Sequence, residues 1–309
     1  MILVTGVSGA LGGLVRERLA AAAALPGGLE VVAGTRSPAP GSGERRIDFD
    51  DPASLADGFA GVDVLVFVSA GYAEDDVVLA RHGAVVDAAA AAGVRHVIYT
   101  SLAGSGERLT IAVPHRWTEE RLAAAPFATT VLRNGLYVEV PVGLAVAGAG
   151  PAAGTGVFSA PFGDGRISVV AREDLADVAA RVALEAHADL TTGTPGRHAG
   201  RVYELEGVDA LHGDDIAEVL ARELGRAVRY ESAPLGATRA ALTRSGLLPY
   251  QVGHAVSVFA NLKAGWLAVD GGASDLPGLL TAPPRPVRQL IADAVRAGRV
   301  RLAVGAGAP

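Results

Sequence analysis

Gly6, Gly9 and Gly12 stand three residues apart in the run TGVSGALGG at 5–13. The run MILVT before them has the apolar character of a buried strand, and the residues from 9 to 25 have that of a helix. A strand that turns through glycines into a helix makes a site for phosphate. The first glycine permits the tight turn, the second lets backbone approach a pyrophosphate, and the third lets the helix pack close to the strand. Free N–H groups and the positive dipole end at the helix start then face the anion. Ser8 either caps that helix or donates to the phosphate. The chain has 40 glycines, so the triad takes its meaning from the strand before it and the helix after it.

The next informative position is the end of the second strand. An acidic side chain there would hold a ribose 2′-hydroxyl, whereas an arginine suits a 2′-phosphate. The chain reads GTR at 34–36 with no acid at 35–37, and the planar, permanently charged Arg36 fits phosphate. Arg45 or Arg46 could share that role, and the expected cofactor is NADPH. In IDFDD (47–51), Asp48 could accept from the adenine amino group while Phe49 packs on the ring; Asp50 or Asp51 reads as a helix cap. VFVSAGY (66–72) ends the fourth strand, and its Val68, Ser69 and Ala70 fit a close pass beside the nicotinamide ribose. The expected cofactor contacts are Gly6, Ser8, Gly9, Ala10, Leu11, Gly12, Arg36, Asp48, Phe49, Val68, Ser69, Ala70, Thr100 and Asn134.

A third stretch, PHRWTEERL (114–122), follows the strand-like VRHVIYTSL (94–102). Many nucleotide-dependent oxidoreductases place a Tyr-x-x-x-Lys pair in this segment for proton transfer. Here there is neither Tyr nor Lys. The only lysine of the chain is Lys263, and position 259, where the tyrosine would stand, is Phe. The pair is therefore absent from the whole sequence. Three other donors are candidates: Ser101 at the end of the fifth strand, His115 before a helix, and Tyr137 after the sixth strand. The ordinary histidine range suits acid work near neutrality, although a helix-start or surface histidine explains His115 equally well. Glu119 and Glu120 read as first-turn acids stabilised by the helix dipole, and Trp117 as packing or a pocket wall.

These residues need elements to hold them. Short apolar runs at 1–5, 29–34, 45–48, 62–68, 95–100 and 128–133 alternate with helical patterns near 9–25, 52–60, 74–93 and 114–125. That alternation predicts an α/β fold, a Rossmann-type doubly wound parallel sheet with both faces covered. Residues 146–165, rich in Gly, Pro and Ala, read as loop plus a short strand. Further expectations are a helix at 172–186, a loop at 188–200, a strand at 202–207, a helix at 212–225 ending on Gly225, and a strand at 228–232. Residues 235–298 read as mostly helical with a loop near 270–286. The expected division is an NADP-binding domain over 1–150 with return elements from 166–207, a smaller α/β substrate-capping region over 151–298, and a tail over 299–309.

Composition removes other classes. The 309 residues suffice for a large core, and cysteine is absent, which excludes disulfides and thiolate metal sites. The net charge of −6 and its even spread argue against a nucleic-acid partner. No basic segment followed by an apolar one opens the chain, and no apolar run reaches a membrane-spanning length of about 18. A cytoplasmic protein with no membrane partner is expected. The seven histidines are scattered without short ligand pairs, so no metal is expected. The arginine bias fits GC-rich coding DNA and a bacterial source.

TGVSGALGG, IDFDD, AAAAAGVRHVIYTS (88–101), LRNGLYVE (132–139) and DGRISVVAREDLADVAARV (164–182) together resemble the NmrA-like branch of the atypical short-chain dehydrogenases/reductases. Within it the chain looks most like the type-2 NADPH:quinone oxidoreductases. The resemblance implies a Rossmann-type NADPH domain, a small C-terminal domain, and hydride transfer to a small quinone-like molecule. It also matches His82 to a histidine on the helix behind the cofactor, and Asn134 and Tyr137 to residues at the nicotinamide and substrate end. Relatives can carry a lysine where this chain has Glu120. The missing pair agrees with a quinone. Reducing a ketone builds an alkoxide that needs a positioned acid, whereas a quinone is strongly electrophilic and yields a delocalised phenolate. The family also contains non-catalytic NADP(H)-sensing regulators, and a narrow-substrate biosynthetic tailoring reductase is a further alternative. A homodimer is the assembly kept open.

Overall fold

The computed structural model describes residues 1–24, 28–69 and 73–305, with side chains to residue 298. The first half alternates strand and helix: β1 (Ile2–Val4), α1 (Ala10–Ala23), β2 (Val31–Thr35), β3 (Arg45–Arg46), α2 (Pro52–Gly58), β4 (Val64–Phe67), α3 (Asp75–Ala91), β5 (His96–Leu102), α4 (Ala112–Ala123) and β6 (Ala128–Asn134). The second half follows with β7 (Leu136–Tyr137), α5 (Glu139–Thr155), β8 (Val157–Ala160), β9 (Ile167–Val170), α6 (Arg172–Thr192), β10 (Val202–Leu205), β11 (Ala210–Leu211) and α7 (Gly213–Leu224). It ends with β12 (Arg229–Ser232), α8 (Leu235–Arg244), α9 (Pro249–Lys263), α10 (Leu276–Leu279) and α11 (Val287–Gly305).

Among the described residues, seven strands form one parallel sheet in the order β10-β6-β5-β4-β1-β2-β3. The order in which the chain adds strands reverses at β1, which has β2 on one side and β4 on the other. The strand period of two sorts the core. Ile2, Val4, Val64, Val66, Ile98 and Leu132 pack toward α1 and α6, while Leu3, Leu65, Phe67, Val97, Tyr99 and Val131 pack toward α2, α3 and α4. Both faces being covered explains why these strands are almost wholly apolar. A third core, built from α5, α7, α9, α11 and the strands β8 and β9, forms the smaller lobe. Among the described residues, no helix is long and apolar enough to cross a membrane.

The short strands β7, β9 and β11 are not expected from the sequence, and three further segments differ from the reading of it. Residues 146–155 are helix, the second part of α5, although Pro151 lies inside it. The small side chains that read as loop let this helix seat closely: Ala145, Ala149 and Ala152 are buried, and a Cβ on Gly148 would lie 2.8 Å from the Phe158 ring. Packing outweighs the cost of an interior proline. The helix expected at 172–186 runs on to Thr192, with Asp189 buried on its last turns and the left-handed Gly193 ending it. The tail expected at 299–309 begins as helix, since α11 reaches Gly305.

The short strand β7 carries Tyr137 and is held by β9 through the pairs Leu136–Val169 and Tyr137–Val170. The chain leaving β10 crosses directly over β9: a Cβ on Gly207 would lie 2.1 Å from the Val169 carbonyl oxygen. Only a residue without a side chain fits there. Gly207→Ala should therefore destabilise the protein by about 2 kcal/mol or more, the cost of overpacking against immobile backbone. The check is urea unfolding, in which the midpoint should fall at unchanged slope.

Candidate active site

A cleft of about 1290 Å³, measured out to its open mouth, lies where β1 and β4 diverge at their carboxyl ends. This is the crevice in which open α/β sheets hold ligands. Of the expected cofactor contacts, Gly6, Ser8, Gly9, Ala10, Leu11, Gly12, Arg36, Asp48, Phe49, Val68 and Ser69 line it. Tyr137 lines it as well. Ala70 lies outside the described residues. Thr100 and Asn134 are buried beside the cleft rather than in its wall.

The glycine loop has the geometry of a phosphate cradle. Gly6 has φ +65°, in the left-handed region. A Cβ on Gly12 would lie 2.3 Å from the Gly6 carbonyl oxygen, so α1 is pressed against the end of β1. Gly9 is the N-cap of α1 and no side chain caps the helix, so Ser8 does not act as the cap. The first-turn N–H groups of Ala10, Leu11 and Gly12 therefore remain available to a ligand in the cleft. This arrangement fits a dinucleotide: it offers donors, a positive dipole end and no side chain in the way.

The opposite side of the crevice is fixed by two hydroxyls. Thr5 Oγ1 accepts the Val68 N–H at 3.0 Å, and Thr100 Oγ1 accepts the Ser69 N–H at 3.0 Å. Thr5 and Thr100 thus position the chain that leaves β4, and neither needs to touch a ligand. The period of β5 turns Thr100 away from α4 and its neighbours Tyr99 and Ser101 toward it.

Toward β2 and β3 the cleft is lined by Gly34, Thr35, Arg36, Ile47, Asp48, Phe49, Asp50 and Arg81. Arg36 is exposed and has no carboxylate partner among the described residues. Arg45 and Arg46 are engaged elsewhere. Arg45 Nη1 donates to the Gly58 and Ala60 carbonyls at 2.9 and 2.7 Å, and Arg46 pairs with Asp48 and Asp51. Asp51 caps α2 by accepting from Ala53 N–H. Phe49 meets Phe67 edge-on at 5.7 Å, which fixes its ring at the cleft wall.

Toward β7 the wall is Tyr137 and Arg172. The guanidinium of Arg172 lies 4.8 Å from the centre of the Tyr137 ring and pairs with Glu139 at 2.8 Å. The stack holds the tyrosine ring in place in the cleft wall.

The other two expected donors are committed behind the sheet. Ser101 is buried, and its hydroxyl donates to Glu119, not to the cleft. Glu119 also accepts from Arg116 at 2.8 Å and from Arg133 at 2.6 Å, and Arg133 reaches Glu204 at 2.8 Å. Burial alone would raise the Glu119 carboxyl; hydrogen bonds from Arg133 and Ser101, with the charges of both arginines, outweigh it and hold the group below its ordinary value. Nor is Glu119 a first-turn acid. The helix begins at Ala112, two residues before Pro114, which places Glu119 and Glu120 well inside it.

His115 is hydrogen-bonded through Nδ1 to the hydroxyl of the fully buried Tyr99 at 2.8 Å and does not line the cleft. Burial first, then the Arg116 charge, lowers its pKa to about 4, so it is neutral near pH 7 and no imidazolium acid. His82 is fully buried and lowered to about 3, again by burial first. Thr118 Oγ1 donates to the Pro114 carbonyl at 2.6 Å, so it accepts from His82 Nδ1 at 2.7 Å. That assigns the proton to Nδ1 and leaves Nε2 as an acceptor facing Ser69 Oγ at 3.4 Å. His82 is thus a packed helix histidine that helps to place a cleft residue. Trp117 packs on α3, 3.3 Å from where a Gly83 Cβ would stand.

Asn134 is buried, and neither end of its amide has a partner among the described residues. The cleft residues that sequence reasoning missed are Gly34, Thr35, Ile47, Asp50, Arg81 and Arg172. Arg172 stands at the start of a helix that the sequence did mark, but nothing in its spacing points to Tyr137. Arg81 is the neighbour of His82 on α3, and a helix residue gives no local sign of which loop it faces.

Residues 1–264 match the model of the NmrA-like family. The chain is 35% identical over 255 residues to quinone oxidoreductase 2 of Escherichia coli, covering 80% of this chain and 82% of that protein. The structure of an NADPH-dependent quinone oxidoreductase from Escherichia coli complexed with NADPH superposes with TM-score 0.80 at 31% identity, covering 95% of this chain and 99% of the other. The triphenylmethane reductase of Citrobacter sp. complexed with NADP(H) gives 0.79 at 26% identity, covering 96% and 99%.

The Glu119 hub ties β5, β6 and α4 together with one carboxylate, and its pKa shift makes its contribution depend on pH. The folded group lies below its ordinary value near 4.5, so the stabilisation is present above that value and is lost as pH falls through the folded pKa. Glu119→Gln should cost about 1–3 kcal/mol at pH 7, because Arg133 loses one of its two carboxylates. The difference from wild type should narrow below about pH 4 in urea titrations run across pH.

Proposed function

The chain belongs to the NmrA-like family, and on that basis we propose that it is an NADPH-dependent reductase of quinones or of similarly activated carbonyl and enone compounds. One observation carries the reading: the glycine cradle, the unpartnered Arg36 and the Tyr137 hydroxyl share a single cleft. NADPH, when bound, supplies the hydride. The protein binds and orients. The first-turn N–H groups of α1 hold the pyrophosphate, Arg36 takes the 2′-phosphate, and Phe49 and Ile47 provide the apolar side of the adenine site. The backbone at Val68 and Ser69, fixed by Thr5 and Thr100, lines the path toward the nicotinamide end.

Tyr137 is the residue placed to donate a hydrogen bond to the acceptor oxygen. Among the described residues, no second acid supports it in the cleft. His115 is neutral and held by Tyr99, Ser101 and Glu119 are bonded to each other, and Lys263 Nζ donates to Ser232 Oγ at 2.9 Å in the smaller lobe. A site so equipped suits an acceptor whose reduced form is a delocalised anion, and is poorly suited to an ordinary ketone.

Purified protein should oxidise NADPH when a quinone is added, followed by loss of reduced-nicotinamide absorbance, and should do so faster than with simple ketones. NADPH binding without turnover across a quinone and enone panel would favour a sensing role and sink the reductase. Tyr137→Phe should lower kcat/KM by about tenfold, the scale of one hydrogen bond made in the transition state. Arg36→Ala should weaken NADPH by about tenfold and NADH far less, measured as dissociation constants by titration calorimetry.

A further inference from the structure

We propose that Arg81 sets cofactor preference without touching the cofactor, by occupying Asp50 so that Arg36 stays available to a 2′-phosphate. The proposal rests on the reading of this cleft as an NADPH site.

Asp50 and Arg36 line the same end of the cleft. The other two acids of that loop are satisfied locally. Asp48 accepts the Asp50 N–H at 3.2 Å and pairs with Arg46 at 3.3 Å, while Asp51 caps α2 and pairs with Arg46. Asp50 has no such partner in its own loop. Its carboxylate is met from α3 by the fork of Arg81, with Nε donating to Oδ1 at 2.8 Å and Nη2 to Oδ2 at 2.7 Å. Both oxygens are used by one planar group, the arrangement in which a guanidinium binds a carboxylate most firmly. The Asp50 carboxyl is held below its usual range first by the Arg81 hydrogen bonds, and the charge of Arg36 adds to the effect. Arg36 is therefore within electrostatic reach of Asp50 yet unpaired.

An acid at this end of a Rossmann cleft is the feature that favours a free 2′-hydroxyl and disfavours a 2′-phosphate. The sequence lacks that acid at the end of β2 but supplies one from the neighbouring loop. Unmasked, Asp50 would repel the phosphate and compete for Arg36. Its side chain is 53% exposed, so the effect is that of a screened pair and not of a buried one. Arg81 cancels this charge from across the cleft, and Arg36 remains as the net positive group facing the ligand.

The test measures dissociation constants of NADPH and NADH by calorimetry for wild type, Arg81→Gln, Asp50→Asn, the double variant and Arg36→Ala. Arg81→Gln should weaken NADPH by about fivefold, with little change or a gain for NADH. Asp50→Asn should bind NADPH more tightly than wild type. The double variant should recover the affinity lost in Arg81→Gln. A double variant as weak as Arg81→Gln would overturn the proposal, because Arg81 would then bind the nucleotide directly. Equal losses of NADPH and NADH in Arg81→Gln would also overturn it, pointing to an adenine wall. If Arg36→Ala leaves the NADPH-to-NADH ratio unchanged, the premise fails and the proposal with it. If that ratio collapses while Arg81→Gln does not move it, only the proposal fails.

Discussion

The contact between the first turn of α1 and the carbonyl of Gly6 governs the rest of the molecule. A hydrogen atom at position 12 brings the helix against the strand end, and any side chain there would meet the Gly6 carbonyl at 2.3 Å. The closeness puts the N–H groups of the first turn into the crevice between β1 and β4, where no side chain caps them. It also aligns α1 with α6 over one face of the sheet, because Leu11, Val15 and Leu19 share a core with Val178, Val182 and Ala186. One close approach thus fixes the phosphate cradle and one of the three cores together.

The second constraint is the alternation of β5. Successive side chains leave a strand on opposite faces, so Thr100 and Ser101 cannot serve the same site. Thr100 goes to the Ser69 backbone at the crevice, whereas Ser101 joins Tyr99 on the face toward α4. There the chain has built an ion network around Glu119 and a hydrogen-bonded pair between Tyr99 and His115. The region that carries proton transfer in relatives with the Tyr-x-x-x-Lys pair is, in this chain, a structural brace. Its carboxylate is ionised and saturated and its imidazoles are neutral.

Much of the first half was legible because its signals are local. Apolar runs broken by glycines gave the strands and helices in order, and Arg36 without an acid at 35–37 was readable from three residues. What stayed hidden depends on neighbours distant in sequence. The start of α4 was misplaced by Pro114, which reads as a helix beginning but lies in the first turn of a helix that starts at Ala112. Glu119 is the centre of a network because Ser101 of β5, Arg133 of β6 and Arg116 converge on it, and the first two are distant in sequence. The helix α5 was read as loop because its glycines and Pro151 speak for disorder locally, whereas its alanines speak for close packing only once α7, α11 and β8 surround it. Asp50 or Asp51 read as a cap, and Asp51 is that cap, whereas the partner of Asp50, Arg81, lies 31 positions away on another element.

The consequence for chemistry is that specificity and proton supply have been separated. The cofactor end is densely charged, with three acids and three arginines whose pairing leaves Arg36, among the described residues, without a carboxylate partner. The substrate end is walled, among the described residues, by Tyr137 and the arginine stacked on its ring. For the reductase proposed above, orientation and the electrophilicity of the acceptor would supply most of the rate, because among the described residues no second positioned acid stands beside Tyr137. That restricts the useful acceptors more sharply than the shape of the cleft does. On that proposal, a molecule that stabilises the incoming electron pair within its own π system is the favoured acceptor, and one that needs a proton from a neighbouring acid is disfavoured.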